Sequence, residues 1–168
     1  MNKFNLILSV IIMTFVPSIT FGNVIEKLNE AGKFNKLNET LAKSGLNENL
    51  KGAGPFTVFA PLDDAFAAIS AKTYYGLLRE ENKDKLVNIL GRHVFSKKIT
   101  SSEIDGEVKL KAINGEEITI KKVNGIVYIN EAEVVTADVE VSNGVIHYIN
   151  RVLQPVSYTH LRAHETSH

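Results

Sequence analysis

The sequence contains no cysteine. That absence excludes disulfides, thiolate catalysis, zinc–thiolate centres and a lipidated N-terminal cysteine, so stability must come from burial alone. Net charge is absent too. Nineteen basic side chains balance nineteen acidic ones, and no overall field draws the chain toward nucleic acid or anionic lipid. The common catalytic motifs are also missing: there is no Gly-x-Ser-x-Gly elbow, no Gly-rich phosphate loop and no His-Glu-x-x-His helix. Asp63-Asp64 starts like a calcium loop, but no spaced oxygen ligands follow it. A cap for a helix through Ala65, Phe66 and Ile69 is the better reading.

What remains is a chain of 168 residues, 44% of them apolar, enough for one domain with a packed core. Its two ends read differently from the rest. Met1-Asn2-Lys3 gives a short positive start, and Phe4 to Val16 is mostly apolar. Pro17-Ser18 then breaks the run, and Thr20-Phe21-Gly22 offers small residues for cleavage after Gly22. That order predicts a secretory signal peptide over 1–22, since the apolar run falls short of the roughly 20 residues that span a bilayer. After Pro155 the pattern changes abruptly, and residues 157–168 hold three of the five histidines, His160, His164 and His168. Their spacing would place them on one helix face as metal ligands. The change of pattern favours a non-native tail. The folded unit is then 23–156, exported, with the periplasm, the cell surface and the medium all open as destinations. The Lys/Asn/Ile-rich usage suggests a bacterial source.

Within that unit the first half has helical periodicity. Val24, Ile25, Leu28 and Ala31 recur at helical spacing and stop at Gly32. Phe34, Leu37, Leu41 and Ala42 form a second stripe ending at Ser44-Gly45, and a short turn follows over Leu46 to Leu50. Phe56 to Ala60 predicts a strand stopped by Pro61. Further helices are expected over Tyr74–Arg79 and Asp84–His93, and a capped turn over Ser101–Ile104. From Glu107 onward the period becomes two. Asn114-Gly115, Asn124-Gly125 and Asn143-Gly144 mark tight turns, and the last introduces an apolar strand from Val145 to Leu153. Apolar residues on both of its faces predict a central, covered strand. Helices first and a meander of strands after them indicate an α+β domain.

Three stretches in order carry a resemblance. Phe56-Thr57-Val58-Phe59-Ala60-Pro61 with Asp64-Ala65-Phe66, then His93-Val94, then Asn143-Gly144-Val145-Ile146-His147-Tyr148-Ile149 running to Pro155, resemble the signature blocks of the fasciclin domain family. The resemblance covers essentially all of 23–156. It implies a fasciclin-like fold, with N-terminal helices packed on a mainly antiparallel β-sheet sandwich or wedge. It also implies a non-enzymatic module for adhesion or protein–protein interaction, without a cofactor. Phe56, Phe59, Pro61, Phe66, His93, Asn143, Gly144 and His147 then read as structural motif residues. Two positions depart from the pattern: Arg92 stands where the family usually has Tyr, and Asn150 where it often has Asp.

His93 and His147 are the histidines outside the tail. Two of them without Cys or a spaced carboxylate triad do not make a zinc-hydrolase pattern, so buried imidazoles tied to backbone or hydroxyl partners are expected. If the signature residues build the core, recognition belongs to the segments between them. The candidate contacts are Arg92, Phe95, Lys97 and Lys98; Arg and aromatic side chains are favoured interface anchors. A plain core role for Phe95 and a solvated helix end for Arg92 are the alternatives. The expected partner is a protein or polysaccharide of the cell surface or matrix, met by a monomer. A small apolar ligand, such as a pigment or lipid held between helices and sheet, is the rival reading. Asn38-Glu39-Thr40 fits a glycosylation sequon, relevant only to a eukaryotic pathway. A chain of residues 23–156 should melt within about 0.5 kcal/mol of one retaining the tail, measured by urea denaturation. A loss of several kcal/mol, or tight zinc binding by the tail, would contradict the non-native reading.

Overall fold

The computed structural model describes residues 22–154, so most of the expected signal peptide and the whole tail lie outside the described residues. Helix α1, Val24–Ala31, opens with a capping box: Glu26 N–H donates to the Asn23 side chain at 2.9 Å, and Asn23 N–H donates to Glu26 Oε1 at 3.0 Å. Helix α2, Asn35–Ser44, has no N-terminal side-chain cap from its own N-cap residue, Phe34. Asp63 supplies it from a distance, accepting from Lys36 N–H at 2.8 Å and from Asn35 Nδ2 at 3.0 Å. Asp63 is therefore a helix cap, but for a helix earlier in the chain. The segment it begins, Asp63–Ala68, is a 3-10 helix capped by Leu62 without a side-chain bond. Short helix α3, Leu46–Asn49, leads to strand β1, Phe56–Pro61.

Helix α4 spans Ala71–Leu77, upstream of the expected start at Tyr74, because Ser70 Oγ accepts from Thr73 N–H and fixes the first turn. Helix α5 is Lys83–Gly91 and is followed by strand β2, Val94–Phe95. A single 3-10 turn over Ser101–Glu103 carries its own Thr100/Glu103 capping box. The meander comprises β3 (Glu107–Lys111), β4 (Glu117–Val123), β5 (Ile126–Ile129), β6 (Ala132–Val141) and β7 (Gly144–Ile149). Strand β6 is one bent element of ten residues. Asp138, at φ 58°, and register shifts between Val134 and Val139 mark the bend. Strand β7 stops at Ile149, short of Leu153.

The seven strands form one sheet in the order β2-β1-β7-β6-β5-β4-β3. All neighbouring pairs are antiparallel except β1 and β7, which run parallel from Phe56↔Gly144 to Pro61↔Ile149. Every residue of β7 is buried, because a separate core covers each face. On the helical side Val58, Ala60, Ile146 and Tyr148 pack with Leu28, Phe34, Leu37, Leu41, Leu86 and Leu90. On the other side Phe59, Phe95 and Ile149 pack with Ile118, Ile120 and Ile129 of the meander. The period-two stripes of β3–β5 thus fill the second core and the helical stripes fill the first. This is an α+β architecture with the fold expected from the sequence.

The Asn-Gly turns are not equivalent. Asn124 and Gly125 both take positive φ, 52° and 83°, as a tight hairpin requires. Asn143 and Gly144 do not, contrary to the expectation of a positive-φ turn there. Glycine is needed at 144 for closeness. A Cβ on it would lie 1.9 Å from the Phe56 carbonyl oxygen, which is backbone and cannot move aside. Gly144→Ala should therefore cost about 3 kcal/mol or more by chemical denaturation. Gly76→Ala, in helix α4 with nothing within 4 Å, should stabilise by roughly 0.5–1 kcal/mol. Equal effects at the two positions would refute the close-approach explanation.

Candidate functional site

Arg92 and His93 follow α5 directly and are both buried. His93 Nδ1 lies 2.9 Å from the Ile89 carbonyl, and Leu153 N–H donates to Nε2 at 2.9 Å. One ring nitrogen must donate and the other accept, so the imidazole is neutral with its proton on Nδ1. His147, in β7, holds the opposite tautomer. Its Nε2 donates to the Ile99 carbonyl at 2.7 Å, and Asp138 N–H donates to Nδ1 at 3.1 Å. Phe59 stacks on it with ring centroids 4.9 Å apart. Burial pushes both imidazoles below their ordinary value, His93 to about 4. The two rings share no hydrogen-bond partner, each being committed to its own pair of backbone groups. Among the described residues no three of His, Cys, Asp or Glu come together around a possible metal ion.

Arg92 departs from the sequence reading in a more informative way. It is neither a partner contact nor a solvated helix end: its side chain is fully buried, and its guanidinium is committed inside the fold. Nη1 donates to the Gln154 carbonyl at 2.8 Å, and Nη2 forms an ion pair with the Glu116 carboxylate. Burial pulls the Arg92 pKa down and the Glu116 charge opposes that pull. Phe95 is likewise core, edge-on to Phe59 at 5.7 Å, so it cannot anchor a partner from the folded surface. Lys97 and Lys98 are exposed as expected, with Lys98 Nζ 2.7 Å from Glu140. The exposed candidates thus reduce to this lysine pair.

Together Arg92 and His93 hold the segment Val152–Gln154 against the end of α5. That segment, the 3-10 helix, α4 and α5 enclose a cleft of about 500 Å³. Its walls are mostly apolar, including Phe66, Ile69, Leu77, Ile89 and Leu153, with Pro61 and His93 also reaching it. A second concavity of about 400 Å³ adjoins it, sharing Phe66, Ile69 and Tyr74 and ending at Lys36, Asp63 and Asp64. Sequence reasoning placed a possible ligand between helices and sheet but named none of the lining residues. The structure leaves Ile69, Leu77 and Ile89 half-buried there, which helical periodicity alone does not distinguish from full burial. The Asn38-Glu39-Thr40 sequon lies within α2, where Thr40 is buried and its hydroxyl donates to the Leu37 carbonyl.

The tautomer of His93 has a pH consequence. Its pKa is about 4 in the folded chain against an ordinary 6.5, so between those values the unfolded chain binds more protons. Its contribution to stability is complete above about pH 6.5 and is lost as pH falls to about 4, a change of about 3 kcal/mol. Denaturation at pH 7 and pH 4 should show the wild type losing more stability than His93→Asn by roughly that amount. Identical losses would mean that His93 is not held neutral.

Comparison with known proteins agrees with this architecture. The fasciclin domain model matches residues 32–155. Helix α1 lies before that match, yet buries Val24, Ile25 and Leu28 in the helical core. Protein sll1483 of Synechocystis sp. is 49% identical over 123 residues, covering 73% of this chain and 67% of its own length. The transforming growth factor-beta-induced protein ig-h3 of Sus scrofa is 36% identical over 134 residues, which are 80% of this chain but 19% of that protein. The chain therefore spans about two-thirds of one relative and about a fifth of the other. A solved FAS1 domain pair from the insect cell adhesion molecule fasciclin I shares the fold, with a TM-score of 0.73 at 22% identity, over 83% of this chain and 53% of that one. With a family model matched over most of its length and a relative 49% identical, the chain belongs to the fasciclin domain family.

Proposed function

We propose that this protein is an exported, non-enzymatic binding module that acts in adhesion or protein–protein interaction at the cell surface or in the extracellular matrix. The observation that carries the reading is how the chemically capable side chains are used. His93, His147 and Arg92 are buried, with both nitrogens of each imidazole bound to backbone and the guanidinium tied to Gln154 and Glu116. Groups so committed stabilise a scaffold and leave recognition to its surface. The fold shared with an insect cell adhesion molecule supports the same reading. The order of residues 1–22 supports export. A protein or polysaccharide of the envelope or matrix is the proposed partner, and Lys97 and Lys98 are the candidate contacts that remain exposed.

A second reading is favoured by the cleft. Its volume of about 500 Å³ lies within the roughly 300–1,000 Å³ of small-molecule sites, and apolar walls suit a carrier of a small apolar ligand.

The two kinds of candidate contact separate in one experiment. Replacing Lys97 and Lys98 together with Ser should leave stability within about 0.5 kcal/mol, because both are on the surface. The same change should weaken attachment of the protein to isolated envelope or matrix from its source. Arg92→Ser should instead destabilise by about 2–3 kcal/mol by stranding Glu116. Unchanged attachment in the double lysine variant would remove this loop as a contact surface. Esterase or glycosidase activity that persists through rigorous purification would overturn the non-enzymatic reading.

A further inference from the structure

The cleft has a polarity that narrows what it could hold. Its inner walls are aliphatic and aromatic, and its buried polar side chains are already hydrogen-bonded. His93 uses both ring nitrogens, Thr40 donates to the Leu37 carbonyl, Ser70 pairs with Thr73, and the Tyr74 hydroxyl donates to Glu39 at 2.5 Å. Among the described residues the buried polar atoms left without a hydrogen bond belong to Arg92 and Glu116, neither of which lines the cleft. Ser70 and Thr73 are exposed, so a ligand's polar group placed among the buried walls would meet only side chains that are already hydrogen-bonded, at the cost of its hydration. The body of any occupant has to be apolar.

The rim is different. Lys85, on α5, is exposed, lines the cleft and forms no ion pair among the described residues. Gln154, on the Val152–Gln154 segment, also lines the cleft and is exposed, with no side-chain hydrogen bond among the described residues. No carboxylate lines the cleft, and His93 is held neutral by its two backbone bonds, so Lys85 is its one formal charge. From this complementarity we infer that the cleft binds a single-chain amphiphile with a carboxylate head. The chain lies between α4, α5 and the Val152–Gln154 segment, and the head meets Lys85 and Gln154 at the mouth. The inference rests on the carrier reading of the cleft and adds the class of head group to it.

Calorimetric titration of the purified protein with decanoate and with decanol tests the body and the head separately. Decanoate is expected to bind more tightly than decanol. Lys85→Ala should weaken decanoate about fivefold, as loss of a rim ion pair does, and Lys85→Glu should weaken it further. Neither change should alter decanol binding, and both variants should fold, since Lys85 is exposed. Across octanoate, decanoate and dodecanoate the affinity should rise about fourfold per methylene buried. Equal binding of acid and alcohol, indifferent to Lys85→Glu, would overturn the head-group inference while leaving an apolar carrier intact. Affinity independent of chain length would place the acid on the surface lysine alone and also overturn it. No binding of either compound would remove the carrier reading together with the inference.

Discussion

The corner between β6 and β7 is where the two halves of the molecule are joined, and its polar groups are almost all spoken for. The Asn143 side-chain oxygen accepts from Val24 N–H at 3.0 Å, at the start of α1. Its amide donates to the carbonyls of Leu50 and Gly52 at 2.7 and 2.8 Å, just beyond α3. Its own carbonyl accepts from Phe56 N–H at 2.9 Å, at the start of β1. One asparagine thus fixes the first helix, the end of the helical section and the first strand against the last strand. Gly144 beside it lets the parallel β1–β7 pair begin, because no side chain intrudes on the Phe56 backbone. A buried polar group costs free energy unless satisfied, and here the satisfied group sets the register on which both cores depend.

From that corner the two histidines follow as a pair of related solutions. Each lies where a chain segment without regular partners meets the sheet or α5, and each accepts one backbone N–H and faces one backbone carbonyl. An imidazole is the side chain that can donate and accept at opposite edges of one flat ring while still packing as an aromatic. His93 secures Leu153 and His147 secures Ile99, so each substitutes for a strand neighbour that the segment lacks. Their neutrality is a structural requirement, since an imidazolium would have no lone pair left for the incoming N–H.

Much of the fold was legible in the sequence because the signals for it are local. The stripe Val24, Ile25, Leu28 gave α1 its bounds, and the alternation from Glu107 gave β3–β5 their inward faces. Apolar residues on both faces of the strand after Gly144 marked β7 as central and covered. What was illegible in each case depended on a distant partner. Asp63 reads as a local cap, but its N–H donors lie in α2. Gly144 reads as a turn residue, but the obstacle is the backbone of Phe56. Arg92 reads as exposed because charged residues are rarely buried unless paired, and its pairs, Glu116 and Gln154, lie far along the chain.

The same non-locality explains why the candidate site was only half visible. A cleft is a property of surfaces that fail to meet, and periodicity records only which residues face inward. Leu86 and Leu90 satisfy the helical pattern by packing in the core, whereas Ile89 and Leu77 are left half-covered beside the cleft. Arg92 and His93 hydrogen-bond to Gln154 and Leu153, which fixes the Val152–Gln154 wall of the cleft to the end of α5. Arg92 reaches this segment through Nη1 while Nη2 pairs with the half-exposed Glu116 carboxylate, so the guanidinium is itself oriented by a charge from the other side. Arg92, which looked like a recognition element in the sequence, is thus an internal anchor for one wall of the cleft, and of the four candidate contacts only Lys97 and Lys98 are left on the surface.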